Sequence, residues 1–211
     1  MAALSRPRRA LTLTATLAGT IAVCLAGPGA SAAALTTGDP SGDVWIDAFD
    51  PDTGESTYTP AGSVANVDVL ATQVRHTSTR IALVSTYAEL VRSGPDFALA
   101  DRLRFDSGPR ITLFMDAAGR RSGLVLMTKH RTMEQVDCRG LRHEVDYEAD
   151  TVTVSFPRSC VGRPRTVEVS SVAYGSDQQD TPDREDDVYY LDNAHNAGHG
   201  INGWSGPVRT G

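Results

Sequence analysis

The sequence predicts an all-β fold, a jelly-roll-like antiparallel β-sandwich closed by one disulfide. Apolar residues recur at every second position more often than at helical spacing. Residues 151–156 show this best, with Val152, Val154 and Phe156 on one face and three hydroxyl residues on the other. Polar or small residues interrupt the pattern at 77–79, 117–119 and 148–150. Short strands joined by such turns are typical of a sandwich.

Seven strands are predicted, each from its own pattern. They lie at residues 67–74, 81–84, 110–116, 123–128, 142–147, 151–156 and 166–169. The first is rich in β-branched residues, which suit a pleated surface. The second is a continuous apolar run, as a central strand buried on both faces would show. The third and seventh alternate, with apolar side chains at 111, 113 and 115 and at 167 and 169.

The rest of the chain carries weaker signals. Residues 87–92 and 95–104 have room for a helical turn or two. Residues 35–42 and the tail after Asp177 are rich in Gly, Asp, Asn and Ser, and looser structure is expected there. Repeats are absent from the sequence, and about 180 residues after the N-terminal segment make a comfortable single domain.

Residues 1–32 have the order of a secretory signal peptide. Arginines at 6, 8 and 9 precede an uncharged stretch at 10–27, and Ala30-Ser31-Ala32 offers small residues for cleavage. Threonines dilute the apolar stretch, which disfavours a retained membrane anchor. Arg8-Arg9 leaves twin-arginine export open, and Cys24 is a weaker candidate for lipid attachment. The sequence therefore predicts a secreted, extracellular domain at 33–211.

The predicted mature domain is acidic. The whole chain carries a net charge of −6, and because residues 1–32 contain three arginines and no acidic residue, the remainder carries −9. Such a domain has no overall positive field for nucleic acid and is repelled by anionic membrane surfaces. Neither nucleic acid nor membrane is therefore expected as a partner, and the sequence leaves the oligomeric state open.

The two cysteines of the mature domain predict a disulfide. Cys24 leaves with the signal peptide, so Cys138 and Cys160 remain as a pair in an oxidising compartment. A two-cysteine metal site is the alternative, but neither a CxxC pair nor a suitably spaced histidine accompanies them. We expect Cys138 and Cys160 to be joined.

Carboxylates are crowded in two stretches. The first holds Asp39, Asp43, Asp47, Asp50, Asp52 and Glu55, and the second holds Asp177, Asp180, Asp183, Glu185, Asp186 and Asp187. Solvated acidic loops are the simpler interpretation, and the sequence by itself favours it. The alternative is a structural calcium site at a sandwich edge, with Asp39, Asp43, Asp50 and Asp52 as ligands. An EF-hand loop is not complete, because Gly54 and Ala61 stand where oxygen ligands would be needed.

Aromatic side chains and histidines offer other candidate sites. Trp45 and Trp204 lie in or near the looser segments and could present rings to a ligand, although most aromatic residues of a small sandwich belong to its core. His195 and His199 have the spacing of a zinc pair, but glycines around them indicate a loop and no glutamate follows His195.

Three short runs carry a resemblance to known proteins. They are Asp39-Pro40-Ser41-Gly42-Asp43-Val44, then Asn66-Val67-Asp68-Val69 followed by Val74-Arg75-His76-Thr77, and Phe156-Pro157-Arg158-Ser159-Cys160-Val161-Gly162-Arg163-Pro164. Together they resemble a group of uncharacterised secreted actinobacterial proteins. Their layout is similar to carbohydrate-binding sandwiches of the family 9 and DOMON type. The resemblance implies a jelly-roll-like sandwich and brings over no catalytic residue.

The sequence predicts a non-catalytic function. There is no Gly-x-Ser-x-Gly motif, and the thiols are committed to the disulfide. A secreted binding or interaction domain is expected, with a glycan or cell-wall polymer as ligand. The alternatives are an extracellular protein that binds another protein or has a structural role, and a secreted hydrolase with an unrecognised site.

Overall fold

The computed structural model describes residues 33–93, 96–117, 123–176, 187–196, 198–200 and 203–211. These residues form thirteen strands: β1 Ala33–Gly38, β2 Val44–Asp50, β3 Glu55–Gly62, β4 Val69–His76, β5 Arg80–Tyr87, β6 Asp96–Phe105, β7 Ile111–Asp116, β8 Leu124–Lys129, β9 Arg142–Asp146, β10 Thr151–Pro157, β11 Thr166–Ser176, β12 Asp187–Asn193 and β13 Val208–Arg209. A single 3₁₀ turn, Arg158–Val161, follows β10. The predicted signal peptide at 1–32 and most of the second acidic stretch lie outside the described residues.

Two antiparallel sheets pack as a sandwich, as the sequence predicts. One sheet has the order β1-β4-β5-β10-β9, and the other has the order β3-β2-β12-β11-β6-β7-β8, with β13 paired to β11. Alternate side chains of β5, β6 and β10 are buried, so each sheet turns one face inward. Among the largest fully buried side chains are Tyr87, Phe156, Ile81, Leu83 and Leu99. Burial of this apolar inner layer stabilises the sandwich.

All seven predicted strands are present, and the structure adds strands that the sequence pattern did not predict. These are β1, β2, β3, β6, β12 and β13. The helical alternative at 95–104 was wrong, because Asp96–Phe105 forms β6 in the middle of the larger sheet. The inward side chains there include Phe97, Leu99 and Leu103. A buried Asp101 lies between Leu99 and Leu103 in this inward row, and it obscures the apolar period. Residues 88–92 form a loop after β5 rather than a helical turn.

The predicted disulfide is confirmed. Cys138 and Cys160 are bonded, with Cα atoms 5.4 Å apart. The bond ties the loop before β9 to the 3₁₀ turn after β10, so it closes one end of the smaller sheet. Within the described ranges, no helix has the length and hydropathy needed to cross a membrane.

Candidate metal centre

Carboxylates from both sheets converge at one end of the sandwich. Asp39 follows β1 and Asp68 precedes β4 in the smaller sheet, while Asp43 precedes β2 and Asp192 lies on β12 in the larger sheet. One oxygen each of Asp39, Asp43 and Asp192 lie within 4.8 Å of one another. Asp68 is close enough that its charge raises the pKa of all three. We call these four residues the intersheet carboxylates.

Local hydrogen bonds hold the intersheet carboxylates in place. The turn between β1 and β2 bends at Gly42, whose φ of +79° favours glycine. The Gly42 amide donates to Asp68 Oδ2 at 3.0 Å, and the Ser41 hydroxyl donates to the same oxygen at 3.2 Å. From the other sheet, Asp192 Oδ2 accepts the Val69 amide at 2.6 Å. Asp68 and Asp192 thus fix the two sheets relative to each other.

The oxygens that remain have no partner. Five buried carboxylate oxygens accept no hydrogen bond: Asp39 Oδ2, both oxygens of Asp43, Asp68 Oδ1 and Asp192 Oδ1. Asp68 and Asp192 are each only 1% exposed. The ion pairs found among the described residues, Arg104–Glu168 and Lys129–Glu134, leave this group without a cationic side chain. Buried carboxylates without a partner are costly, so a proton or a cation must neutralise them.

The raised pKa values of these carboxyl groups reflect the same cost of burying negative charge. Burial and, to a smaller extent, the neighbouring charges of Asp192, Asp43 and Asp68 together raise the pKa of Asp39 to about 8. Burial also raises the pKa of Asp192 to about 7, against the lowering effect of the Val69 amide. The pKa of Asp43 is raised by burial and by Asp68. Without a cation, protons occupy part of this site at neutral pH.

The donor set fits calcium. Ca²⁺ takes about six to eight oxygen ligands in flexible geometry, and four carboxylates with added water can supply them. Zinc prefers nitrogen and sulfur ligands, which this group lacks. Magnesium requires near-ideal octahedral geometry and gives up its water reluctantly. A carboxylate-rich, partly buried site therefore suits calcium best among the common divalent ions.

Calcium-free protein is expected to lose stability as the pH rises from about 4 to about 8. The pKa values of Asp39 and Asp192 in the folded state, about 8 and about 7, lie above the ordinary value of 3.8, so the folded state binds more protons in this range. The free energy of unfolding then decreases with pH. Calcium displaces these protons and should flatten the trend. Buried Asp101, whose pKa is raised to about 6, adds the same slope with and without calcium.

The measurement is the melting temperature at pH 5 and at pH 8, with and without calcium. We expect the fall between the two pH values to be larger in the calcium-free protein. Equal falls under both conditions would contradict a cation site at the intersheet carboxylates.

The structure brings together only part of the predicted ligand set. Asp39 and Asp43 belong to the intersheet carboxylates, whereas Asp50 and Asp52 lie at the turn between β2 and β3. The Asp50 carboxylate accepts the Thr53 hydroxyl at 2.9 Å and the Asp52 amide at 2.8 Å, and these bonds lower its pKa. Asp50 therefore closes its own turn.

Sequence reasoning missed Asp68 and Asp192 as members of the site. Each is an acidic residue beside apolar strand residues, in Val67-Asp68-Val69 and Leu191-Asp192, and that isolation is the signal that could have singled them out. Asp177 to Asp186 lie outside the described residues, as does the side chain of Asp187.

The predicted aromatic candidates lie on the outer face of the larger sheet. Trp45 is half-buried and makes an edge contact with His199, at 5.2 Å between ring centroids, and Tyr58 stacks on the same ring at 4.3 Å. Trp204 is also half-buried and packs on Arg104 at 4.4 Å. Tyr189 on β12 and Tyr58 on β3 both lie opposite Asp47 of β2, which runs between those two strands. The Tyr189 side chain is 42% exposed. Trp45 and Trp204 are thus outside the core, and we call Trp45, Tyr58, Tyr189 and His199 the aromatic platform.

The histidine pair does not form a metal site among the described residues. His199 is engaged in the aromatic platform. His195 is half-buried, both of its ring nitrogens lack a hydrogen-bond partner, and burial lowers its pKa to about 4. In the described part of the chain, the one group of three or more potential ligands is that of Asp39, Asp43 and Asp192.

Comparison of the chain with models of protein families, with curated proteins and with solved structures gave no significant match.

Proposed function

We propose that this protein is an exported, non-catalytic binding module that holds one calcium ion between its two sheets. The observation that carries the proposal is the convergence of the intersheet carboxylates, with five buried oxygens that have no partner. A calcium ion would neutralise these charges and join strand ends from both sheets. The ion would therefore have a structural role in the module.

An extracellular location suits both a disulfide and a calcium site of this kind. The disulfide indicates a non-cytosolic protein, because thiols stay reduced in the cytosol. Basic, apolar and small-residue segments at 1–32 support a cleaved signal peptide. Extracellular modules commonly bind calcium at about 10⁻⁴ to 10⁻³ M, a range that a site of this kind can reach.

The ligand that we propose is a glycan or cell-wall polymer on the aromatic platform. Tyr58 and Tyr189 are 38% and 42% exposed, and Trp45 contacts the His199 ring on which Tyr58 stacks. Rings in this position bury apolar surface against a flat ligand and keep a polar atom at the rim. The resemblance to family 9 and DOMON-type sandwiches is one of layout, and it brings over no sugar-binding aromatic residue.

The position of the carboxylates supports a non-catalytic role. Paired carboxylates catalyse glycoside hydrolysis only where a substrate reaches both. Asp68 and Asp192 are each 1% exposed and lie between the sheets. A hydrolase would need its carboxylate pair in an open cleft, so Asp68 and Asp192 are unsuited to that role.

A second candidate, a protein-binding role, rests on a different surface. Phe114, Leu124 and Leu126 are 39%, 43% and 39% exposed, and they lie on adjacent strands at the β8 edge of the larger sheet. Exposed apolar patches of this kind mark protein contacts. Binding through this edge would be insensitive to changes in the aromatic platform, which separates the two candidates.

Removal of the aromatic platform is expected to abolish glycan binding. The test is co-sedimentation of the protein with insoluble polysaccharides, namely peptidoglycan, chitin, cellulose and xylan. Trp45→Ala and Tyr58→Ala should each weaken binding by about tenfold or more, as loss of a central aromatic contact does. Tyr147→Ala is the matched control, since Tyr147 packs under Arg92 away from the platform. Absence of binding to all four polymers, or an equal loss in the control, would refute the glycan proposal.

A further inference from the structure

The outer face of the larger sheet carries cationic side chains as well as aromatic ones. Arg102 and Arg104 alternate along β6 with the buried Asp101 and Leu103, so their side chains point outward. Arg110 immediately precedes β7, and His130 immediately follows β8. The His130 amide donates a hydrogen bond to the Arg110 carbonyl oxygen. We call Arg102, Arg104, Arg110, His130 and Arg131 the basic band.

A cavity opens within the basic band. Its volume is about 350 Å³, and it is lined by Pro109, Arg110, Lys129, His130, Arg131 and Thr132. The orientation of the His130 ring is restrained by a hydrogen bond, because its Nδ1 lies 2.9 Å from the Thr112 hydroxyl. Three of the six lining residues are permanent cations, including the single lysine of the chain. The cavity therefore combines mostly apolar walls with cationic side chains.

The charges of the basic band are only partly neutralised. Arg104 pairs with Glu168 and Lys129 pairs with Glu134, and these are the ion pairs found among the described residues. Arg110 and Arg131 are exposed and belong to neither pair. The predicted mature domain as a whole is strongly acidic, with a net charge of −9. Such a protein repels anions over most of its surface, so an anion is attracted mainly to the region of its unpaired cationic side chains.

The basic band and the aromatic platform share one face. Trp204 packs over Arg104 at 4.4 Å and over Arg102 at 5.7 Å, and it lies in the same segment after β12 as His199. Stacking on the indole restrains the guanidinium groups, so less side-chain freedom is lost when an anion binds. Trp204 thus places aromatic surface against two members of the basic band on the outer face of the larger sheet.

We infer that the basic band binds the anionic groups of a polysaccharide, either carboxylates or phosphodiesters. The inference deepens the proposed function and rests on it, since it names the class of polymer that the module binds. The cationic side chains around the cavity and the position of the basic band on the same sheet face as the aromatic platform carry it. A neutral glycan would use the platform alone and leave Arg110 and Arg131 without a role.

The test uses the full mature protein with calcium and measures its affinity for soluble polymers by affinity electrophoresis. Polygalacturonate supplies carboxylates, poly(glycerol phosphate) supplies phosphodiesters, and dextran is the neutral reference. We expect binding to at least one anionic polymer, weakened by added salt. Arg110→Glu with Arg131→Glu should weaken that binding at least about tenfold. Arg75→Glu with Arg142→Glu, two exposed positions of the smaller sheet, is the control of equal charge and should bind as the unaltered protein does.

Each other outcome overturns the inference. Unchanged binding in the Arg110 and Arg131 variant, equal loss in the control, equal binding of dextran, or no binding of either anionic polymer would do so. Tighter binding of a DNA duplex than of both polysaccharides would assign the band to nucleic acid instead. Failure here with intact binding of a neutral glycan, still lost in Tyr58→Ala, would leave the proposed function standing.

Discussion

Calcium at about a hundredfold excess over its Kd, which is about 10 mM for a Kd of about 10⁻⁴ M, is expected to raise the melting temperature of this protein by about 5–10 °C. A ligand that binds only the folded state adds about 2.7 kcal/mol at a hundredfold excess over its Kd, and 1 kcal/mol corresponds to about 2–4 °C for a domain of this size. The physical reason is that the intersheet carboxylates are buried and repel one another, which raises the pKa of Asp39 to about 8. Chelation should reverse the effect, and magnesium should do less because it retains its water.

Substitution within the site separates calcium binding from a general effect of salt. Asp43→Asn removes one ligand and one charge, so it should abolish the calcium response while making the calcium-free protein more stable. The matched control is Asp52→Asn at the exposed turn between β2 and β3, which should respond to calcium as the unaltered protein does. Differential scanning calorimetry with calcium and with chelator measures both. If the calorimetric curves of the unaltered protein with calcium and with chelator superimpose, the intersheet carboxylates bind water and protons but do not bind calcium.

Removal of the disulfide is expected to destabilise the fold by about 3 kcal/mol. Cys138 and Cys160 are separated by 22 positions, and opening a loop of this length restores about that much conformational freedom to the unfolded chain. Cys138→Ala with Cys160→Ala should therefore lower the melting temperature by about 6–12 °C. Urea unfolding at fixed calcium concentration measures the change in free energy.

The calcium response should persist in the variant that lacks the disulfide. Asp68 stands before the first residue of β4, whereas the turn that carries Cys160 packs near the end of that strand, through the Arg158 amide and the Thr79 carbonyl oxygen. The two features thus lie at opposite ends of the smaller sheet. Stability equal to that of the unaltered protein would show that the bond restrains little of the unfolded chain.

Much of the fold follows from local pattern. Period-two alternation predicts β10 almost to the residue, because each inward side chain of a strand lies two positions from the next. The pairing of Cys138 with Cys160 follows by elimination, since two cysteines allow one bond. Local pattern fails at β6, where Asp101 occupies a buried position among apolar residues and bonds to Ser171 at 2.6 Å. A single buried polar residue is enough to hide the alternation.

The sequence alone determined the fold class, the disulfide and the crowding of acidic residues; tertiary structure decided which acids meet. Asp50 and Asp52 stand close to Asp43 in sequence, yet they serve a turn at the other end of β2. Asp192 is far away in sequence, yet one of its carboxylate oxygens lies within 4.8 Å of those of Asp39 and Asp43. The reason is that strands carry neighbours in sequence apart at about 3.3 Å per residue, while packing of two sheets brings the ends of distant strands together.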